Sequence, residues 1–490
     1  MKLQTFLTTP LDDLVQRRSN AAIETHVLRL FRQVVANVPG YRAFLKDQQI
    51  EPATIQSLAD FYQLPLTTKD NYIRHYSLPD LCHEGQIAGC DFVSASSGST
   101  GAPTFWARRS EDELDIATRF EQVFHDSFRA REIPTLAVIC FPLGTWVGGL
   151  YTTNCCRYLA AKGYPITLVT PGNNKTEILR VVTALAPLYA QTVLLGYPPF
   201  LKDAIDTGIA NGVDWAKYHV KLVLAGEVFS EEWRTLVGQR LGSINFCYDS
   251  ASLYGTADAG VLGNETPLSI GIRRWLSQQP EIARELFGKS RLPTLIQYDP
   301  LTRYFEVEDG TLLFSGDNGV PLIRYHIADT GGIIAYEEML AFLASKGFDP
   351  QSQPELQDGS GIRPLPFVYV FGRSQFAISY YGANIYPENV TVGLEQSPIC
   401  EWVTGKFVMQ IRETVDRNAE LLIVVELAPG AAETEARVQA IAGSILYHLR
   451  RLNREFANYV PESSQAPQIE LRLTGDAEYF PVGVKHRYTR

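Results

Sequence analysis

Residues 135–141, Thr-Leu-Ala-Val-Ile-Cys-Phe, form an apolar run with almost no polar interruption. A strand with one wet face alternates polar and apolar residues. A strand without alternation has both faces covered, as in a parallel sheet packed between helices. Runs of the same kind follow at 166–169, 192–195 and 222–224, and helix-like stretches separate them. One such stretch opens at the turn Gly144-Thr145-Trp146-Val147-Gly148-Gly149 and reaches Leu159; others cover about 176–185 and 200–207. Ser230-Glu231-Glu232 reads as the start of one more. Strands alternating with helices predict an α/β domain built on a parallel sheet flanked by helices.

The texture changes near Leu295. Residues 304–307, 311–314 and 322–325 read as short strands, parted by Asp309-Gly310 and by Gly316-Asp317-Asn318-Gly319. These are hairpin signals and predict an antiparallel, barrel-like region. After Phe371-Gly372-Arg373 a smaller α+β pattern begins, with a helix over 388–396, strands over 407–412 and 421–426, and a long helix over 432–453. The expected division is a large N-terminal domain, 1–374, and a small α+β C-terminal domain, 375–490.

Between the two first strand-like segments, 91–93 and 104–107, lies Ser94-Ala95-Ser96-Ser97-Gly98-Ser99-Thr100-Gly101-Ala102-Pro103-Thr104. It is too rich in hydroxyls and glycine for a core strand. Composition alone leaves two readings, an exposed Ser/Gly linker or a loop whose backbone N–H groups and hydroxyls hold a phosphate. No lysine follows Gly101, and Pro103 opposes a directly following helix, so the stretch is not a Walker loop. As a phosphate loop it would be of a hairpin type.

Composition narrows the partners. A net charge of −10 excludes binding to nucleic acid through a broad basic surface. The seven cysteines include no Cys-x-x-Cys pair, which argues against zinc and fits a reducing compartment. The first residues carry no long apolar run, so neither a secretory signal nor a membrane span is expected, and the expected location is cytoplasmic.

Five patterns then occur in order: the Ser/Gly stretch; Gly144-x-Trp146-x-Gly148-Gly149; Ala225-Gly226-Glu227-x-x-Ser230-Glu231-Glu232; Tyr254-Gly255-Thr256-Ala257-Asp258; and Pro321-Leu322-Ile323-Arg324-Tyr325 with Asp329, Gly372-Arg373 and Gly382-Ala383-Asn384-Ile385-Tyr386-Pro387. Together they resemble the adenylate-forming ligase superfamily, and within it the phenylacetate–coenzyme A ligase branch. Val38-Pro39-Gly40-Tyr41-Arg42 and Leu64-Pro65-Leu66-Thr67-Thr68-Lys69 resemble that branch too.

The resemblance implies an ATP-dependent ligase that activates a small, aromatic carboxylic acid as an acyl-adenylate and transfers it to coenzyme A. A carrier-protein thiol or an amine is the alternative acceptor, and a catalytically silent nucleotide-binding protein the alternative from another class. The resemblance also implies Mg²⁺ as a cofactor, a homodimer as the usual state of relatives, and no membrane partner. By the same resemblance Ser97, Gly98, Ser99, Thr100 and Gly101 hold the β- and γ-phosphates. Tyr254 stacks on the adenine, the backbone around Gly226 and Glu227 edges it, and Gly255 and Thr256 belong to the same cofactor-binding set. Asp329 takes the ribose diol, and Arg373 contacts ribose or phosphate. Asp258 is the metal ligand, and Lys485, in Pro481-Val482-Gly483-Val484-Lys485-His486-Arg487, is the catalytic cation at the α-phosphate. Trp146, Gly148, Tyr248 and Asp249 form the expected substrate-binding set. Read without the resemblance, Tyr254 also fits a core aromatic, Asp329 a turn cap, Lys485 a solvated tail charge and Trp146 plain packing.

The chain departs from the pattern at several positions. Ala102 replaces the usual lysine after the loop, and Asp258 replaces a glutamate. Arg324-Tyr325-His326-Ile327-Ala328-Asp329 replaces the usual Arg-Tyr-Arg-Thr-x-Asp, Thr391 stands near the place of an acid, and Ser374-Gln375 follows the hinge arginine.

Overall fold

The computed structural model describes residues 1–16, 20–96, 104–145, 147–289, 292–356, 361–373, 378–381, 383–413, 419–481 and 486–489. The first strands, β1 (Phe92–Ala95) and β2 (Phe105–Arg108), pair antiparallel and flank the Ser/Gly stretch. Eleven further strands among the described residues form one mixed sheet. In chain order they are β3 (Thr135–Ile139), β4 (Ile166–Val169), β5 (Gln191–Gly196), β6 (Val220–Ala225), β7 (Ser250–Thr256), β8 (Gly260–Asn264), β9 (Thr294–Gln297), β10 (Tyr304–Glu308), β11 (Thr311–Gly316), β12 (Leu322–Ile334) and β13 (Phe367–Arg373). Their order across the sheet is β10-β11-β12-β13-β9-β8-β7-β6-β5-β3-β4.

The unbroken apolar runs behave as their chemistry requires. Ala137 and Ile139 of β3 join a cluster with Phe120, Val193 and Val223 on one face. Leu136 and Val138 join Leu194, Leu222 and Trp233 on the other. Successive side chains point to opposite faces, so covering both faces demands apolar residues at every position. The helices Val147–Ala161, Lys175–Leu185, Pro198–Ala210 and Glu231–Leu241 alternate with these strands along the chain. Pairing is parallel from β4 through β3, β5 and β6 to β7, and antiparallel from β7·β8 onward. The antiparallel region thus continues the same sheet, and the switch falls earlier than the change of sequence texture at Leu295.

Downstream, β14 (Ile378–Tyr380) and β15 (Ala383–Ile385) form a hairpin. The strands β16 (Val403–Glu413), β17 (Ala419–Leu427) and β18 (Gln468–Arg472) form a second sheet. With the helices Pro387–Leu394 and Glu435–Leu452 they bury a separate cluster around Phe407, Ile423, Ile441 and Ile445. The expected boundary residue, Ser374, lies outside the described residues.

This C-terminal unit docks on the segments that follow β5 and β6. Lys202 donates to the carbonyl oxygens of Cys400 and Val403 at 3.3 and 3.1 Å. Arg240 pairs with Glu401 at 2.9 Å, Ser230 donates to Glu395, and Tyr488 donates to Glu227 at 2.9 Å. No helix among the described residues is long and apolar enough to cross a membrane.

Candidate active site

A cavity of about 360 Å³ opens at the carboxyl ends of β6 and β7. Ligands of open α/β sheets bind at this end, where loops leave the strands. Gly148, Gly226, Glu227, Tyr254, Gly255, Thr256, Asp258 and Asp329 all line it. They come from four separate stretches of chain, and the sheet brings them together.

The Ser/Gly stretch is rooted at the cavity, which Ala95, Ser96 and Thr104 line. Ser96 N–H donates to the Thr104 carbonyl at 2.9 Å, and Thr104 N–H donates to Ser96 Oγ at 2.9 Å. Ala95 N–H donates to the Thr145 carbonyl at 2.9 Å, which ties this neck to the Gly144-Gly149 turn. Ser97, Gly98, Ser99, Thr100 and Gly101 lie outside the described residues, as do Ala102 and Trp146.

Asp258, 4 % exposed, lines the same cavity. Its Oδ1 lies 3.1 Å from Lys69 Nζ, and its Oδ2 accepts from the Tyr325 hydroxyl at 2.8 Å. Arg108, fully buried, donates to the backbone carbonyls of Ala257 and Asp258. Lys69 and Arg74 both reach the cavity from the N-terminal segment. What positions Lys69 is a bridge from Thr67 to β12. Thr67 N–H donates to the Arg324 carbonyl at 3.1 Å, His326 N–H donates to the Thr67 carbonyl at 2.9 Å, and Thr67 Oγ1 donates to the Ile323 carbonyl at 2.7 Å. That bridge sets Lys69 beside Tyr325, and both side chains converge on Asp258.

These surroundings do not fit Asp258 to the expected role of Mg²⁺ ligand. Both carboxylate oxygens carry donors, one of them an ammonium. Among the described residues no group of three His, Cys, Asp or Glu side chains could hold a metal ion.

On the cavity wall the Tyr254 hydroxyl donates to Asp329 Oδ2 at 2.6 Å. The register of β12 on β13 sets Asp329 opposite Arg373, whose neighbour Gly372 lines the cavity. Gly226 leaves β6 at φ +84°, and a Cβ there would lie 2.6 Å from the Tyr197 ring. Only glycine lets the chain cross that ring so closely. The backbone at Gly226 and Glu227 therefore presents its polar edge to the cavity.

Part of the lining is apolar: Phe120, Phe141, Val147, Tyr151, Tyr197 and Val261. The Phe141 and Tyr197 rings meet edge to face, with centroids 5.0 Å apart.

The C-terminal unit closes one side with Pro387, Glu388, His486 and Tyr488. The tail runs beside β16, where Met409 N–H donates to the Tyr488 carbonyl at 2.7 Å. His486 Nε2 donates to the Phe407 carbonyl at 2.8 Å. Burial pushes the His486 pKa down to about 4, so the ring is neutral at pH 7. Tyr488 is pushed well above the usual phenol range by burial and then by the Glu227 carboxylate. Lys485 itself lies outside the described residues, one position before His486.

Two expected substrate residues are corrected. Tyr248 and Asp249 precede β7, which lines the cavity from Ser252 to Thr256, and neither of them is part of that lining. Tyr248 packs with Cys247, Ile270 and Leu356. Asp249 pairs with Lys221 and accepts from Ser243 and from the N–H groups of Ile244 and Asn245, so it holds a turn. Lys69, Tyr325, Glu388 and Tyr488 are the site residues that sequence reasoning missed. Lys69 closes one of the motifs quoted for the resemblance, but no spacing linked it to Asp258.

No family model matches the chain. A phenylacetate–coenzyme A ligase of Thermus thermophilus is 23 % identical over 424 residues, which cover 85 % of this chain and 83 % of that protein. The crystal structure of a 2-hydroxyisobutyryl-CoA ligase in the postadenylation state, in complex with R3-HIB-AMP, is similar over 96 % of this chain and 89 % of its own, with TM-score 0.67 and 16 % identity. The same ligase in the thioesterification state, with 2-HIB-AMP and CoA, covers 99 % and 91 % with TM-score 0.53 and 16 % identity. The chain has the fold of the adenylate-forming acyl-coenzyme A ligases and resembles phenylacetate–coenzyme A ligase in sequence.

Proposed function

We propose that the chain is an ATP-dependent, AMP-forming ligase that joins a small carboxylic acid to coenzyme A. One observation carries this reading: the neck of the Ser/Gly stretch, the Tyr254–Asp329 pair and a set of aromatic side chains all line one cavity. Triphosphate, nucleoside and acyl group call for these three kinds of lining. The aromatic part, Phe120, Phe141, Tyr151 and Tyr197, favours an apolar, aromatic acid.

In the first step a carboxylate oxygen attacks the α-phosphorus, the bond to the β-phosphate oxygen breaks, and pyrophosphate leaves. In the second a thiolate attacks the acyl carbon and AMP leaves with the electron pair. Tyr254 offers a ring face to the base, and Asp329 accepts from the ribose hydroxyls. The backbone at Gly226 and Glu227 meets the edge of the base. The stretch of Ser97, Gly98, Ser99, Thr100 and Gly101 clamps the terminal phosphates, with Lys69 and Arg74 adding positive charge beside it. Lys485 brings a cation to the α-phosphate as charge develops there. Its neighbours His486 and Tyr488 line the cavity, which supports this assignment.

The domains are 1–374, which binds nucleotide and acid, and 375–490, which rotates between the steps. The overlay supports this. It is better on the postadenylation state of 2-hydroxyisobutyryl-CoA ligase, TM-score 0.67, than on the thioesterification state of the same protein, 0.53.

ATP–pyrophosphate exchange with a panel of carboxylic acids tests the reading, followed by thioester detection after adding coenzyme A. Exchange with aromatic acids and a thioester product is the expected result. No exchange with any acid, and no ATP binding by calorimetry, would overturn it. Exchange without a thioester would move the acceptor to a carrier thiol or an amine.

A further inference from the structure

Asp258 sits in a place already filled with positive charge. Lys69 Nζ is 3.1 Å from one carboxylate oxygen, and the Tyr325 hydroxyl occupies the other at 2.8 Å. Beneath them Arg108 donates to the Asp258 carbonyl at 3.1 Å, its guanidinium lies 5.9 and 5.7 Å from the Trp106 and Tyr151 ring centroids, and its Nε and Nη1 have no carboxylate or carbonyl acceptor among the described residues. A divalent cation on Asp258 would have to expel the ammonium and then share the place with this buried guanidinium. Like charges repel far more strongly in such a dry site than in water. Mg²⁺ also demands a near-octahedral oxygen shell at short distance, and one carboxylate with two donors on it offers little of that.

We propose that Lys69 supplies at Asp258 the positive charge that the resemblance assigns to a protein-held metal, and that any divalent cation entering with the nucleotide is carried by phosphate oxygens alone. The ammonium is built into this position. The Thr67 bridge to β12 fixes the approach of its segment, and Thr68, which caps the turn that follows, accepts from Asn71 N–H at 3.1 Å. The Lys69 side chain is 23 % exposed and lines the cavity together with Ser96 and Thr104, so it is open to a ligand bound there. Asp258 then acts as a positioning residue that holds Lys69.

The inference rests on reading the cavity as a nucleotide site, and its test separates the two. Electron paramagnetic resonance of Mn²⁺ with the full chain, without nucleotide, reports whether Asp258 holds a metal. Calorimetry then compares ATP with Mn²⁺ and ATP with EDTA for the wild type, Lys69→Met, Lys69→Arg and Asp258→Asn. Mn²⁺ alone is expected to remain free. Lys69→Met is expected to weaken both forms of ATP by the same factor, about tenfold, the scale of one lost charged contact. Lys69→Arg keeps the charge and is expected to retain more of both affinities than Lys69→Met. Asp258→Asn is expected to change both forms alike. Mn²⁺ bound by the wild type and lost in Asp258→Asn would overturn the proposal. So would an Asp258→Asn variant that weakens Mn·ATP and leaves metal-free ATP untouched. If neither form of ATP binds the wild type, the nucleotide reading fails, and the Mn²⁺ measurement alone still decides whether Asp258 is a metal ligand.

Discussion

The hydroxyl of Tyr254 donates to the carboxylate of Asp329 across 2.6 Å, which joins a ring face and an acid on one wall of the cavity. Asp329 is 6 % exposed, so removing the donor leaves a poorly solvated oxygen short of one partner. Tyr254→Phe is expected to lower stability by about 1–2 kcal/mol, the usual cost of deleting one partner of a buried charged hydrogen bond. Because the ring remains, ATP affinity should fall by less than about tenfold, whereas Tyr254→Ala should lose more. Thermal melts and calorimetry on the same variants read the two effects separately. Equal ATP affinity in Tyr254→Phe and Tyr254→Ala would remove the ring from the nucleotide site.

Tyr488 and Glu227 join the tail to the segment after β6 at 2.9 Å. The tail also holds to β16 through Met409 N–H, so losing one contact should loosen it rather than unfold the chain. Tyr488→Phe is expected to leave the melting temperature nearly unchanged. Trypsin should cut after Arg487 several-fold faster than in the wild type, and adenylation should slow with KM for the acid little altered. Unchanged cleavage and unchanged rate would separate the tail from the first half-reaction.

Glu395 lies where the C-terminal unit meets the rest of the chain, and burial pushes its pKa up to about 8. The Ser230 hydroxyl donates to it and opposes that shift, Glu232 adds to it, and Arg273 and Lys202 oppose it. The docked state keeps Glu395 protonated where the free carboxyl, near 4.5, has already ionised. Docked chain therefore binds more protons, and stability falls as pH rises from about 4.5 to about 8, then levels off. Glu395→Gln should flatten the wild-type decline over that window in thermal melts. His486, held near 4 by burial, has the opposite sign: its contribution is lost as pH falls from 6.5 towards 4, and it should persist in the variant. Parallel pH curves for wild type and Glu395→Gln would remove Glu395 from the linkage.

The parts of the fold legible in the sequence are those set by local chemistry. The run through β3 declared its own burial, because a strand covered on both faces tolerates no alternation. The hairpin around the Ser/Gly stretch was legible from its flanking strands and from Pro103. Tyr254, Asp258 and Asp329 converge as their order in the motifs implied. Illegible was whatever depends on distant pairing. Lys69 meets Asp258 because Thr67 bridges to β12, and no local pattern encodes that bridge. Tyr248 and Asp249 misled for a simpler reason. They are near Tyr254 in sequence, but β7 lines the cavity only from Ser252 to Thr256.

Gly148 tests the acyl site. A Cβ added there would meet Phe141 at 3.5 Å and the Tyr197 hydroxyl at 3.7 Å, both ordinary contacts. Gly148→Ala should therefore fold as the wild type does. Glycine is also a poor helix former, and the position lies in the first turn of Val147–Ala161, so a small gain in stability is expected. The added methyl group narrows the cavity between the two rings. KM for bulky aromatic acids should rise about tenfold or more, in line with the roughly 1–3 kcal/mol that one methylene can decide in an apolar pocket. Small aliphatic acids should be unaffected or favoured. Exchange kinetics with acids of graded size measure this, and a KM raised equally for every acid would place the acyl group away from Phe141 and Tyr197.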